Sequence, residues 1–96
     1  MLIKAGVDIS RLKRNARRGL AGVDEALKEW NVETVVTSTF EGNHGAGSLH
    51  YADQAFDVGL PERDKDLIIG HLKRKLGSLF DVVLEDDHIH VEYDPK

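Results

Sequence analysis

The stretch Phe80-Asp81-Val82-Val83-Leu84-Glu85-Asp86-Asp87-His88-Ile89-His90-Val91-Glu92-Tyr93 decides the fold. Two runs rich in valine, isoleucine and aromatic residues flank three consecutive acids. Branched and aromatic side chains suit a pleated, half-buried surface, whereas adjacent acids repel and seek water. The pattern predicts strands over 80–84 and 88–93 joined by an acidic turn. Side chains alternate across a strand, so Ile89, Val91 and Tyr93 share a core face. His88, His90 and Glu92 then share the other face. A strand flooring a polar cleft carries such a face, and so does a solvated sheet surface. The hairpin alone leaves both readings open.

Upstream, Pro61 is placed to open a helix over about 61–76, with Glu62, Asp64 and Asp66 near the positive end of its dipole. Ile68, Leu72 and Leu76 form its apolar stripe, and Gly77 ends it. Gln54–Val58 is a short strand in which Phe56 and Val58 face one way and Ala55 and Asp57 the other. Residues 41–48 (EGNHGAGS) hold three glycines and read as a loop. Val32–Phe40 is rich in valine and threonine and reads as a strand. Ile9, Leu12, Ala16, Leu20, Val23, Leu27 and Trp30 recur at three- and four-residue steps, which predicts a helix over 9–30 capped by Asp8 or Ser10. Gly19 and Gly22 each weaken that helix by about 1 kcal/mol relative to alanine. Helices set apart from clustered strands predict an α+β fold, a small and mainly antiparallel sheet with two helices.

At 96 residues the chain is one domain, 1–96, too short for an interdomain cleft. It contains no cysteine, which excludes disulfides, thiolate metal sites and a cysteine nucleophile. Residues 1–30 carry a net charge of +3 and residues 31–96 a net of −7. An acidic chain argues against a nucleic-acid partner. The basic cluster Arg11, Lys13, Arg14, Arg17, Arg18 reads as a solvated helix face, with contact to an acidic polymer as the other reading. No apolar run is long enough to span a membrane, and the N-terminus lacks the pattern of a signal peptide. A cytoplasmic protein, held there until something releases it, is the expectation.

There are five histidines. His71 stands alone on the second helix and reads as structural. His44 and His50 belong to the glycine-rich region, and His88 and His90 to the last strand. His44 reads best as a loop brace. Asp57 sits on a polar face beside the small Ala55, which leaves room for an ion, and His50 lies seven residues earlier. Two imidazoles and one carboxylate are the ligand count of a catalytic zinc that keeps one position open. The same set also suits iron, cobalt or manganese.

Ser48-Leu49-His50-Tyr51-Ala52-Asp53-Gln54-Ala55-Phe56-Asp57 resembles the S-x-H-x-x-G-x-A-x-D motif of the zinc D-Ala-D-Ala carboxypeptidase family. That family includes vancomycin-resistance D,D-dipeptidases and phage L-alanyl-D-glutamate endolysins, and shares its fold with the hedgehog signalling domain. Asp87-His88-Ile89-His90 resembles its second motif, an acid three residues before a histidine. The likeness runs over about residues 30–94. It implies that His50, Asp57 and His90 hold one Zn²⁺ and that Asp87 is the general base. It implies that His88 donates to the oxyanion and that Ser48 lines the substrate site. The spacing favours Asp87 over Glu85 and Asp86 as the base. Asp53 stands where the motif has glycine, in a place where a left-handed turn is expected. Strand 32–40 has no counterpart of the arginine that larger members carry upstream of the first motif. Glu92 is either a partner of a histidine ligand or a solvated residue.

The resemblance implies a metallopeptidase that hydrolyses peptidoglycan stem peptides, as a D,D-carboxypeptidase or an L-Ala-D-Glu endopeptidase, with a phage or prophage origin and action at the cell wall. The alternatives are a zinc-binding module without catalysis and a phage structural protein on the same fold. No membrane partner is expected.

Overall fold

A computed structural model describes residues 1–39 and 53–95. Within them the chain runs β1 (Leu2–Ile3), α1 (Arg14–Glu29), β2 (Val35–Ser38), β3 (Ala55–Gly59), α2 (Lys65–Leu76), β4 (Phe80–Leu84), β5 (His88–Tyr93). The strands form one mixed sheet in the order β1-β2-β3-β5-β4. Only the β1–β2 pairing among these is parallel. The fold is α+β, as the clustering of strands and helices predicts.

Both helices pack on one face of the sheet, α1 against β3 and β5 and α2 against β4, and they touch each other. Val36, Phe56, Val58, Val82, Ile89 and Val91 project into this layer and are buried with Ala16, Leu20, Val23, Leu27, Ile68 and Leu72. The period-two pattern of the strands therefore meets the helical stripes across a single core. The opposite face carries Ala55, Asp57, His88, His90 and Glu92.

The β4–β5 hairpin has the bounds that its sequence predicts. Glu85 N–H donates to the His88 carbonyl at 2.9 Å, leaving Asp86 and Asp87 at the tip.

Both helices start later than the sequence predicts, α1 later than its apolar spacing and α2 later than Pro61. Ahead of α1, Asp8 Oδ1 accepts the Ser10 N–H (2.8 Å) and Leu12 N–H reaches the Ile9 carbonyl (3.1 Å). These contacts close a local turn in place of a helical one. Lys13 is extended and makes no side-chain cap, so neither Asp8 nor Ser10 caps the helix. Leu12 is buried all the same, and Ile9 packs on the core, which is why the spacing continues past the true start. In α2 the N-cap is Asp64, left-handed at φ 55°, so Pro61 lies ahead of the helix rather than inside it. β1 is too short for a pattern. Its Leu2 N–H is held by the Thr34 carbonyl at 2.7 Å.

The helix glycines are positions of close approach. A Cβ on Gly19 would lie 2.5 Å from Phe80 Cε1, with two more ring atoms within 3.2 Å. Phe80 also packs edge-on against Tyr93, with centroids 5.5 Å apart. On Gly22 the Cβ would meet one Leu76 methyl at 2.8 Å. Gly19→Ala is expected to be net destabilising by about 1 kcal/mol, because overpacking outweighs the gain in helix propensity. Gly22→Ala is expected to be near neutral, because one methyl can rotate away. Urea melts of the two variants check this, and a stabilised Gly19→Ala would contradict it.

Candidate metal centre

β3 is central, flanked by β2 and β5, and its entry is tied at several points. Asp53 takes φ 60°, the left-handed conformation expected where the motif has glycine. Its carbonyl accepts the Lys13 N–H at 2.9 Å, and its carboxylate lies 3.8 Å from the Arg11 guanidinium. One residue on, the Gln54 carbonyl accepts the Tyr93 N–H at 2.9 Å. The segment ahead of α1, β3 and the end of β5 are thereby joined. The contacts of Arg11, and the bond from Arg17 to the Ser10 carbonyl at 2.7 Å, account for part of the basic cluster, whose residues are exposed.

The register then sets Asp57 directly opposite His90. On the other side, Ser38 rather than Thr37 pairs with Asp57, and the β2–β3 ladder shifts there. A bulge of this kind re-aims side chains and is common beside functional sites. No pattern in residues 32–40 announces it.

Asp57 is buried although it lies on the polar face. Its Oδ1 is 2.9 Å from His90 Nδ1, and its Oδ2 is 3.6 Å from His88 Nε2. The second nitrogen of His90, Nε2, is 2.6 Å from Glu92 Oε1. The second nitrogen of His88, Nδ1, is 2.5 Å from Asp87 Oδ1. A chain of alternating acids and imidazoles thus runs along β5 by way of Asp57 on β3, from Glu92 through His90, Asp57 and His88 to Asp87. Asp87 lies in the bend before β5 with its side chain 89% exposed. Of the three consecutive acids, it is Asp87 that contacts His88.

The donor chemistry fits a divalent cation. Tetrahedral zinc with bonds of about 2.0 Å sets neighbouring donor atoms roughly 3.3 Å apart. Asp57 Oδ1 and His90 Nδ1, on paired strands, lie at hydrogen-bond distance, 2.9 Å, somewhat nearer than that spacing. Of the other two residues named for the site, His50 and Ser48 lie outside the described residues, as does His44. Among the described residues, a set of three possible ligand atoms lying within 4.8 Å of one another is formed elsewhere, by Asp81, Glu92 and Asp94. These half-buried acids were not singled out as a group by the sequence. Cross-strand pairing of Asp81 with Glu92 brings them together.

The hydrogen bond to Asp57 raises the His90 pKa above its ordinary value of 6.5, burial opposes this, and Glu92 reinforces it. Without metal, His90 is favoured as an imidazolium that donates to both carboxylates. A raised folded-state pKa contributes stability that is complete below the unfolded value and is lost as pH rises through the folded value. The melting-temperature advantage of metal-free protein over His90→Gln is therefore expected to be larger at about pH 5.5 than at about pH 9. An advantage that grows with pH would contradict the placement of His90 between two acids.

His71 is structural. Its Nδ1 accepts the Trp30 indole N–H at 2.8 Å, and its Nε2 lies 3.0 Å from Glu29, which ties α2 to the end of α1. No helix among the described residues is long and apolar enough to cross a membrane. No protein-family model matches the chain, and no curated protein matches it.

Proposed function

We propose that this chain is a zinc-dependent peptidase acting on peptidoglycan stem peptides at the cell wall, of the D,D-carboxypeptidase or L-alanyl-D-glutamate endopeptidase type. The observation that carries the reading is the 2.9 Å approach of buried Asp57 to His90 Nδ1 on paired strands. The left-handed Asp53 supports it, because it supplies the turn that the resembled motif needs from glycine. A small, mainly antiparallel sheet with two helices is also the α+β arrangement that the resemblance implies.

His50, Asp57 and His90 would hold the zinc, which when bound supplies a Lewis acid for the scissile carbonyl and water acidified to a pKa of about 7. Asp87 acts as general base, taking a proton from the attacking water and delivering it to the leaving amine. His88, held through Nδ1 by Asp87 and with Nε2 facing Asp57, is the residue that the resemblance assigns to the carbonyl oxygen. Ser48 lines the substrate site.

A second reading, a zinc-binding module without catalysis, is favoured by the exposure of Asp87. Purified protein incubated with peptidoglycan, with and without chelator, distinguishes the two. New amino termini that vanish with chelator are expected. Zinc-loaded, folded protein that releases none would leave the binding module.

A further inference from the structure

We infer that Glu92 is a positioning residue: it holds His90 with the proton on Nε2, so that the Nδ1 lone pair faces the cation. This rests on the proposed metal site and says which atom of His90 serves it.

The argument starts from the strand. His90 and Glu92 are two residues apart on β5 and share its polar face. Opposite Glu92 in the register stands Ala55, whose side chain is a single methyl, and opposite His90 stands Asp57. The small Ala55 leaves the Glu92 side chain space to lean along the strand toward the imidazole. The carboxylate reaches Nε2 at 2.6 Å, a length typical of a charge-assisted hydrogen bond. His90 therefore stands between two carboxylates with unlike tasks. Asp57 is buried on the central strand, and its side chain meets both strand histidines. Glu92 is more exposed and its contact with His90 is tighter.

A metal can replace only one of the two imidazole protons. A cation held beside Asp57 would take the place of the proton on Nδ1 and leave the one on Nε2, which would go on donating to Glu92. The retained bond fixes the ring orientation and makes Nδ1 a better donor. Loss of such a support costs about 10–100-fold in metal affinity. The competing possibility is that Glu92 belongs to a cation site with Asp81 and Asp94, whose carboxylates gather near it.

The test is zinc affinity, measured by chelator competition on the full chain for wild type, Glu92→Ala, Glu92→Gln and Asp81→Asn. Nitrogen-15 spectra of zinc-loaded wild type supply a second readout. Glu92→Ala is expected to bind about 10–100-fold more weakly. Glu92→Gln is expected to fall between, since its amide oxygen still accepts the bond, and Asp81→Asn to match wild type. The spectra are expected to show zinc on His90 Nδ1 and a proton on Nε2. Equal affinity in folded Glu92→Ala and wild type overturns the assignment, as does zinc on Nε2. A loss in Asp81→Asn equal to that in Glu92→Ala moves the cation to the acidic group and also overturns it. If Glu92→Ala fails to fold, Glu92→Gln decides alone, and affinity equal to wild type with an unprotonated Nε2 overturns the role. Wild type that binds no zinc removes the proposed function as well, which separates that failure from the failure of Glu92 alone.

Discussion

His90→Gln is expected to lose tight zinc binding and, with it, all peptide hydrolysis. The replacement keeps a polar side chain of similar length, so the fold should survive on the buried Ile89 and Val91 beside it. What it removes is the imidazole nitrogen that stands 2.9 Å from Asp57. A carboxamide is a weak zinc donor compared with imidazole or carboxylate. Losing a ligand should cost more than the about 10–100-fold that follows from losing a ligand's hydrogen-bonded support. Asp57→Asn is expected to behave alike, because it removes the charge that offsets the cation. Zinc titration followed by circular dichroism checks both variants. Wild-type affinity in folded His90→Gln would show that the cation lies elsewhere.

Asp87→Asn is expected to separate binding from turnover. Asp87 lies outside the proposed ligand set, at the exposed tip of the hairpin, so zinc affinity should equal that of wild type. The amide cannot accept a proton from water, and a positioned general base contributes about 10²–10⁴-fold. The turnover number should fall by about that factor while zinc content stays the same. Part of the loss would pass through His88, whose Nδ1 is held by the same carboxylate. Glu85→Gln and Asp86→Asn are the comparison, and both should remain active. An active Asp87→Asn beside an inactive Glu85→Gln or Asp86→Asn would move the base to the other acid.

The hairpin was legible to the residue because its signal is local. Branched and aromatic residues alternate, and three acids can only face water. The core faces of β3 and β5 were legible for the same reason. The helix starts were not, at α1 because apolar spacing reports burial rather than backbone conformation, and at α2 because Pro61 lies ahead of the helix. Ile9 and Leu12 pack on the core without being helical, and the left-handed Asp64 delays α2. β1 has only two residues, both exposed, and draws its place from pairing with β2.

The candidate centre was legible as a composition of residues but not as a geometry. Period two assigns Asp57 to one face of its strand and His90 to one face of another. It does not say that the strands are neighbours, or that these residues meet in register. The burial of Asp57 and the ladder shift at Ser38 depend on three strands at once. The role of Glu92 stayed open because sequence gives the face and not the lean of a long side chain. Arg11 reaches Asp53 across 42 positions, a distance at which no spacing rule applies.

The most direct test of the metal centre is anomalous scattering at the zinc edge from crystals of the zinc-loaded chain. A single peak about 2.0–2.2 Å from both an Asp57 carboxylate oxygen and His90 Nδ1 is the expected result. A peak among Asp81, Glu92 and Asp94, or no peak in protein crystallised with excess zinc, would contradict it.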